Sequence, residues 1–145
     1  MRVAIATDSL DGAAEAVASE LERRGHTLVR CGAFAAGTNQ QWAWASEAAA
    51  RAVANGQADQ AVICCWTGTG ASIAANKVPG VRAALCADAE TARGARRWND
   101  ANALALSLRT LSEPVLAEIL DAWFATAASD DEADAANIAH LNEVD

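Results

Sequence analysis

"VICCWTGTGASIAANKVPG", residues 62–80, sets two adjacent cysteines and a glycine-rich turn between an apolar run and an alanine-rich run. The run before the turn reads as a buried strand and the run after it as a helix. In a parallel α/β sheet such a turn lies beyond the carboxyl end of a strand, where ligands gather. Successive residues of a strand point to opposite faces, so Cys64 and Cys65 cannot do the same job. Cys65 is nearer the turn, beside the free N–H groups and partial positive charge of a helix start, which favour a thiolate and any anion next to it. A cysteine in an apolar strand also reads as plain core, and that alternative stays open for Cys65. Cys31, Cys64 and Cys86 read as structural.

Outward from this stretch, strand-like runs recur at residues 2–7, 27–31, 60–65, 82–86 and 103–107. Helical stretches alternate with them. Residues 11–26 open at an acidic cap, place Val17 and Leu21 four apart, and close on Arg23, Arg24 and Gly25, as a helix complementing its dipole should. Residues 39–56 close on Asn55 and Gly56 as a C-cap. Further helices are expected over 70–77, 89–99 and 112–127, with an acidic helical tail near 130–143. The β-α alternation predicts a three-layer αβα Rossmann-like sandwich around a five-stranded parallel sheet. No linker or repeat divides the chain, so residues 1–145 are read as one domain whose acidic tail begins at about 128.

With 145 residues and 52% hydrophobic content the chain can bury roughly 70% of its unfolded surface in a core. Its net charge of −8 is unevenly placed. All eleven Lys and Arg residues occur by Arg109, and the segment after it holds nine acidic residues and no basic one. That balance opposes a phosphate backbone and offers no basic face to anionic lipid, which argues against nucleic-acid and membrane roles. No apolar run approaches the length of a bilayer span and the N-terminus does not read as a signal peptide, so a cytoplasmic setting is expected. The four cysteines lack C-x-x-C spacing and the only histidines are His26 and His140, which suggests neither zinc nor a disulfide framework. "GTGASI" (68–73) resembles half of a dinucleotide fingerprint, but it lacks the third glycine and follows the third strand.

"CWTGTGASIAANKVPGVRAALCADAETARGARRWNDANALAL", residues 65–106, resembles the ribose-5-phosphate isomerase B and galactose-6-phosphate isomerase family. The usual pattern there is C-G-T-G-x-G-x-S-I-A-A-N-K-x-x-G-I-R-A-A-L and then H-N-D-A-N-V-L. The resemblance implies a dimer, or a dimer of dimers, with its active site at the interface. It also implies aldose–ketose isomerisation of a sugar through an enediolate, with no metal and no cofactor. By resemblance Cys65 is the thiol base and Thr67 the hydroxyl near the migrating proton. The amides from Gly68 to Gly70 cradle the enediolate or hydroxyls, Asp8 holds substrate hydroxyls, and Asn99 is the asparagine of H-N-D.

The departures fall within the implied site. The family's D-H near the first strand is Asp8-Ser9 here, and its H-N-D histidine, which opens the sugar ring, is Trp98. The C-terminal arginines that grip phosphate are missing from "SDDEADAANIAHLNEVD", leaving Arg109 as the basic group in the family's position. Trp42 stands where the family has a tyrosine, and Trp66 replaces the glycine after the thiol. These rings either stack on a sugar face or fill vacated space. An altered, unphosphorylated or apolar-substituted sugar is therefore expected, and a catalytically inactive structural or regulatory subunit is the second reading. Among the rest, Trp123 is expected in the core and His26 in a structural turn. Of Arg93, Arg96 and Arg97 on a solvated face, Arg97 is expected to look inward.

Overall fold

The computed structural model describes all 145 residues, Met1–Asp145. Five strands, β1 (Arg2–Thr7), β2 (Thr27–Gly32), β3 (Gln60–Cys65), β4 (Ala83–Leu85) and β5 (Ala103–Ser107), form one parallel sheet in the order β2-β1-β3-β5-β4. Six helices connect or follow them: α1 (Ala14–Arg23), α2 (Trp42–Ala54), α3 (Thr69–Asn76), α4 (Ala89–Asn99), α5 (Glu113–Ala125) and α6 (Glu132–Glu143). This is the expected αβα sandwich.

Strand alternation sorts the core into two halves. Val3, Ile5, Val62, Cys64, Leu104 and Leu106 pack on one face against Val17 and Leu21 of α1 and Leu116, Ile119, Leu120 and Trp123 of α5. Ala4, Ala6, Ile63 and Cys65 pack on the other against Ala45 and Ala49 of α2 and Ala71 and Ala75 of α3. The second half is mostly alanine, so its helices approach the sheet closely. Trp123 is fully buried and its Nε1–H donates to Gln60 Oε1 at 2.8 Å, satisfying the polar end of the ring.

Two expectations are corrected. The first helix begins at Ala14 rather than at residue 11, with no side-chain cap; Asp11 instead accepts a 2.5 Å bond from Ser9 Oγ, which ties it into the preceding loop. The inward arginine of α4 is Arg96, not Arg97. Its guanidinium lies 5.6 Å from the Trp123 ring centroid and donates to Asp100 and to the Ala101 carbonyl. Arg97 instead lines a surface groove with Arg93. His26 sits in the α1–β2 turn against Phe124, with ring centroids 4.3 Å apart.

Polar side chains around the short edge strand β4 hold its position. Asn76 exchanges two hydrogen bonds with Ala83, donating at 2.9 Å and accepting at 2.8 Å. Asn102 accepts from the Arg82 amide at 2.7 Å and donates to the Gly80 carbonyl at 2.9 Å. Asp100 ends α4 in the left-handed region, φ 43°, and accepts from both Arg82 and Arg96. The acidic tail forms α6, which has no buried residue. No helix is long and apolar enough to cross a membrane.

Candidate active site

Register fixes the heart of the site. Thr7 pairs with Cys64 across β1 and β3, so the next residues, Asp8 and Cys65, emerge side by side. The chain leaves β1 for β2 on one side while β3 adjoins it on the other, so this is the switch point where open α/β sheets form a crevice. A cavity of about 270 Å³ opens there, lined by Asp8, Cys65, Thr67 and Thr69. Trp42, Trp66 and Gly70 complete its wall.

Cys65 and Cys64 are separated as strand alternation requires. Cys65 belongs to the α2/α3 face and borders the cavity, whereas Cys64 is 1% exposed within the α1/α5 face. Burial pushes the Cys64 thiol up to about 12, with the neighbouring Cys65 and Asp8 charges adding to the effect. Burial likewise raises Cys86 to about 12 and moves Cys31 upward, as befits core thiols.

The turn between β3 and α3 is shaped by close approach. Gly68 has φ 76°, and a Cβ there would lie 2.5 Å from Leu85 Cδ1 and 2.9 Å from the Leu106 carbonyl carbon, so only glycine fits. The Trp66 carbonyl accepts from Ser107 Oγ at 3.0 Å and from the Arg109 amide at 2.9 Å, which anchors the turn to the end of β5. The Thr69, Gly70 and Ala71 amides at the start of α3 have no acceptor within the chain. Thr67 and Thr69 place their hydroxyl oxygens 2.8 Å apart at the same edge. The arrangement offers a thiol, a carboxylate, two hydroxyls and the free N–H groups of Thr69 and Gly70 to one small ligand.

Gly70 differs from Gly68 because its backbone does not require glycine. A Cβ at Gly70 would instead meet the Trp42 ring, 2.8 Å from Cε3, 3.1 Å from Cζ3 and 3.2 Å from Cδ2. The indole therefore lies directly on the glycine. Sequence inspection places both residues at the site but gives no sign of this contact, because 28 positions separate them.

The remaining candidates stand elsewhere in the single chain. Ser9 is outside the cavity wall and its hydroxyl is engaged with Asp11. Trp98 and Asn99 border a separate hollow of about 430 Å³ beside β4, where the exposed Trp98 indole folds over Gly94. Arg109 is exposed and makes no ion pair, with only its backbone tied to the turn. A larger groove of about 1100 Å³ between α4 and α5 is lined by alanines and by Arg93, Arg97, Glu118 and Asp121, and contains none of the candidates.

Residues 3–141 match the family described as Ribose/Galactose Isomerase. Ribose-5-phosphate isomerase B of Escherichia coli is 36% identical over 107 residues, 74% of this chain and 71% of that protein. D-erythrulose-4-phosphate isomerase of Pectobacterium atrosepticum is 34% identical over 103 residues, 71% of this chain and 68% of that protein. Type B ribose 5-phosphate isomerase from Trypanosoma cruzi superposes with a TM-score of 0.89 at 34% identity, covering 99% of this chain and 97% of that one. With its parallel sheet, its glycine turn after β3 and a match along nearly its whole length, the chain belongs to the ribose/galactose isomerase family.

Proposed function

We propose that this member of the family interconverts an aldose and a ketose with Cys65 as the base. The observation that carries the reading is the shared cavity, in which Cys65, Asp8 and Thr67 meet the unpaired amides at the start of α3. In the proposed reaction the Cys65 sulfur takes the proton from the carbon beside the carbonyl. The freed electron pair forms the carbon–carbon double bond and the carbonyl π pair moves onto oxygen. The α3 amides receive that oxyanion, an arrangement that stabilises charge as it develops. The proton of the hydroxyl on the deprotonated carbon passes to that oxyanion, and as the second oxygen re-forms a carbonyl the double-bond pair takes the Cys65 thiol proton at the former carbonyl carbon, so the carbonyl has moved by one carbon. Thr67 stands beside the migrating proton, and Asp8 fixes substrate hydroxyls.

The substrate is proposed to be an altered sugar, unphosphorylated or apolar-substituted. The cavity holds no basic side chain for a phosphate dianion, and two half-exposed to exposed indoles, Trp42 and Trp66, offer faces for the C–H side of a sugar. A homodimer sharing the cleft would bring Trp98 and Asn99 of a second copy within use, which their place in a hollow apart from Cys65 in one chain favours. Transfer of solvent deuterium into carbon-bound positions of candidate sugars, followed by NMR, tests the reading. Exchange should occur with the unmodified protein and fall about 10²–10⁴-fold in Cys65→Ala, the usual contribution of a positioned base, while Cys64→Ala retains it. Equal loss in both folded variants would refute the assignment. Because Ser9 and Trp98 carry no group that titrates near neutral pH, a non-catalytic subunit is the second reading, and absence of exchange with every sugar would favour it.

A further inference from the structure

Two successive carbonyls at the end of β3 are turned the same way. In an extended strand they alternate, one toward each neighbouring strand. Here the Cys65 carbonyl accepts from the Leu108 amide at 3.0 Å and the Trp66 carbonyl from the Arg109 amide at 2.9 Å, so both are turned toward the end of β5. A peptide unit is planar and its trans form, the only one in this chain, sets the N–H opposite the carbonyl. Turning the Trp66 carbonyl toward β5 therefore turns the Thr67 N–H away from it. Because β3 lies between β5 and β1, that N–H is directed to the β1 side, where Asp8 borders the Cys65 cavity. It has no acceptor within the chain.

Ser107 supplies the side-chain part of this arrangement. It pairs with Cys65 across β5 and β3, which sets its hydroxyl on the same face of the sheet as the thiol. Its Oγ donates to the Trp66 carbonyl at 3.0 Å, so that oxygen has both lone pairs engaged and the peptide is held against rotation back to the strand pattern. The other bonds are made by backbone amides, which leaves the Ser107 hydroxyl as the contact a substitution can remove. Every bond in the set lies within one chain, so the arrangement does not depend on what a second copy adds to the cleft. Nothing local marks Ser107 in the sequence, since its bond spans 41 positions.

We propose that Ser107 is a positioning residue for enolisation: by holding the Trp66 carbonyl it aims the Thr67 amide at the oxyanion that forms when Cys65 removes the proton. The inference rests on the enolising role given to Cys65. A donor aimed beforehand needs no reorganisation as charge develops, and this is the source of its effect. Such a donor favours the enediolate over the bound sugar, so it acts on the chemical step more than on ground-state binding.

The test uses glycolohydroxamate, whose planar, ionisable O–C–N–O unit imitates the O–C–C–O core of an aldose–ketose enediolate whatever the length or charge of the sugar. It is titrated into the isotope-labelled full-length protein and followed by amide NMR, with circular dichroism to show that each variant is folded. In the unmodified protein the Thr67 amide should exchange readily with solvent before the compound is added, then shift and become protected as it binds. Ser107→Ala should bind it about tenfold more weakly, less than the roughly 10²–10³-fold lost with a whole oxyanion donor, because the Arg109 amide still holds the carbonyl. In that variant the Thr67 shift should shrink while those of Thr69 and Gly70 persist. Ser107→Thr keeps the hydroxyl and should bind within about threefold of the unmodified protein. Unchanged affinity in Ser107→Ala, or a Thr67 amide in the unmodified protein that stays silent while Thr69 and Gly70 respond, would overturn the inference and leave the enolising role of Cys65 intact. No response from any of the three amides in the unmodified protein would overturn both.

Discussion

Replacing Gly70 with alanine separates two reasons for a glycine. If backbone freedom were the issue, the φ of Gly70 would lie in the left-handed region, as that of Gly68 does; it does not, and Gly70 lies in the first turn of α3. In a helix, alanine in place of glycine is ordinarily stabilising by up to about 1 kcal/mol. Here the new Cβ would sit 2.8 Å from Trp42 Cε3, so the ring must move outward by most of an ångström to restore ordinary contact. Overpacking of this kind costs about 1–3 kcal/mol, and Trp42 is 45% exposed, so the lower half of that range applies. The net expectation for Gly70→Ala is a loss of about 1 kcal/mol, or about 2–4 °C in Tm for a chain of this size. In a Trp42→Ala background the clash is absent and the same substitution should stabilise by about 0.5–1 kcal/mol. Urea denaturation of the four proteins in the double-mutant cycle gives both values. The same sign and size of effect in both backgrounds would show that the indole does not rest on this glycine.

Three further outcomes are expected. Unmodified protein should show a kcat/KM for ribose 5-phosphate well below the usual enzyme floor of about 10⁴ M⁻¹s⁻¹, and Trp98→His alone should not restore it, because Ser9 and the acidic tail remain; a coupled assay on both proteins decides this. Light scattering at micromolar concentration should report twice the chain mass, and a stable monomer with full activity would exclude a shared cleft. Hydrogen bonds from Arg23, opposed by burial and helped by Arg24, hold the Glu20 carboxyl at about 2, below its ordinary 4.5. The folded state thus binds a proton at Glu20 less readily than the unfolded chain, so this contribution is complete above pH 4.5 and is lost as pH falls through about 2. Denaturation of Glu20→Gln across that window should show a shallower acid dependence than the unmodified protein.

Much of the fold is legible in the sequence because its signals are local. The runs at 2–7, 60–65 and 103–107 and the helix at 89–99 carry their boundaries in apolar runs, turn residues and the Asp88 cap, and the structure has them at the same residues. The start of the first helix is hidden because Asp11 resembles a cap, whereas its carboxylate is engaged by Ser9. Strand order is a property of crossovers rather than of any one segment, so the placement of β5 between β3 and β4 is absent from local pattern. At the site, period-two alternation was enough to part Cys64 from Cys65. The seat of Trp42 on Gly70, the choice of Arg96 as the inward arginine and the distance of Trp98 from Cys65 all depend on how separate elements pack. Arg96 and Arg97 are adjacent on one helix, and the positions of Trp123 on α5 and of Asp100 and Ala101 after α4 decide between them.

The pins around β4 have a bearing on how far this chain could drift in substrate. Asn76, Arg82, Asp100 and Asn102 all lie in the stretch that most resembles the isomerases, and every one of them bonds to neighbouring backbone or to another of the four rather than facing the Cys65 cavity. They behave as joinery: a change at any of them would loosen the frame before it touched a reacting atom. Trp66, on the cavity wall, and Trp98, folded over Gly94, are both more than half exposed and make no side-chain hydrogen bond, so they can be exchanged without disturbing a joint. Frame and chemistry are thus written in the same forty residues but under different constraints, and a new substrate can be acquired here by swapping the projecting side chains while the carpentry stays in place.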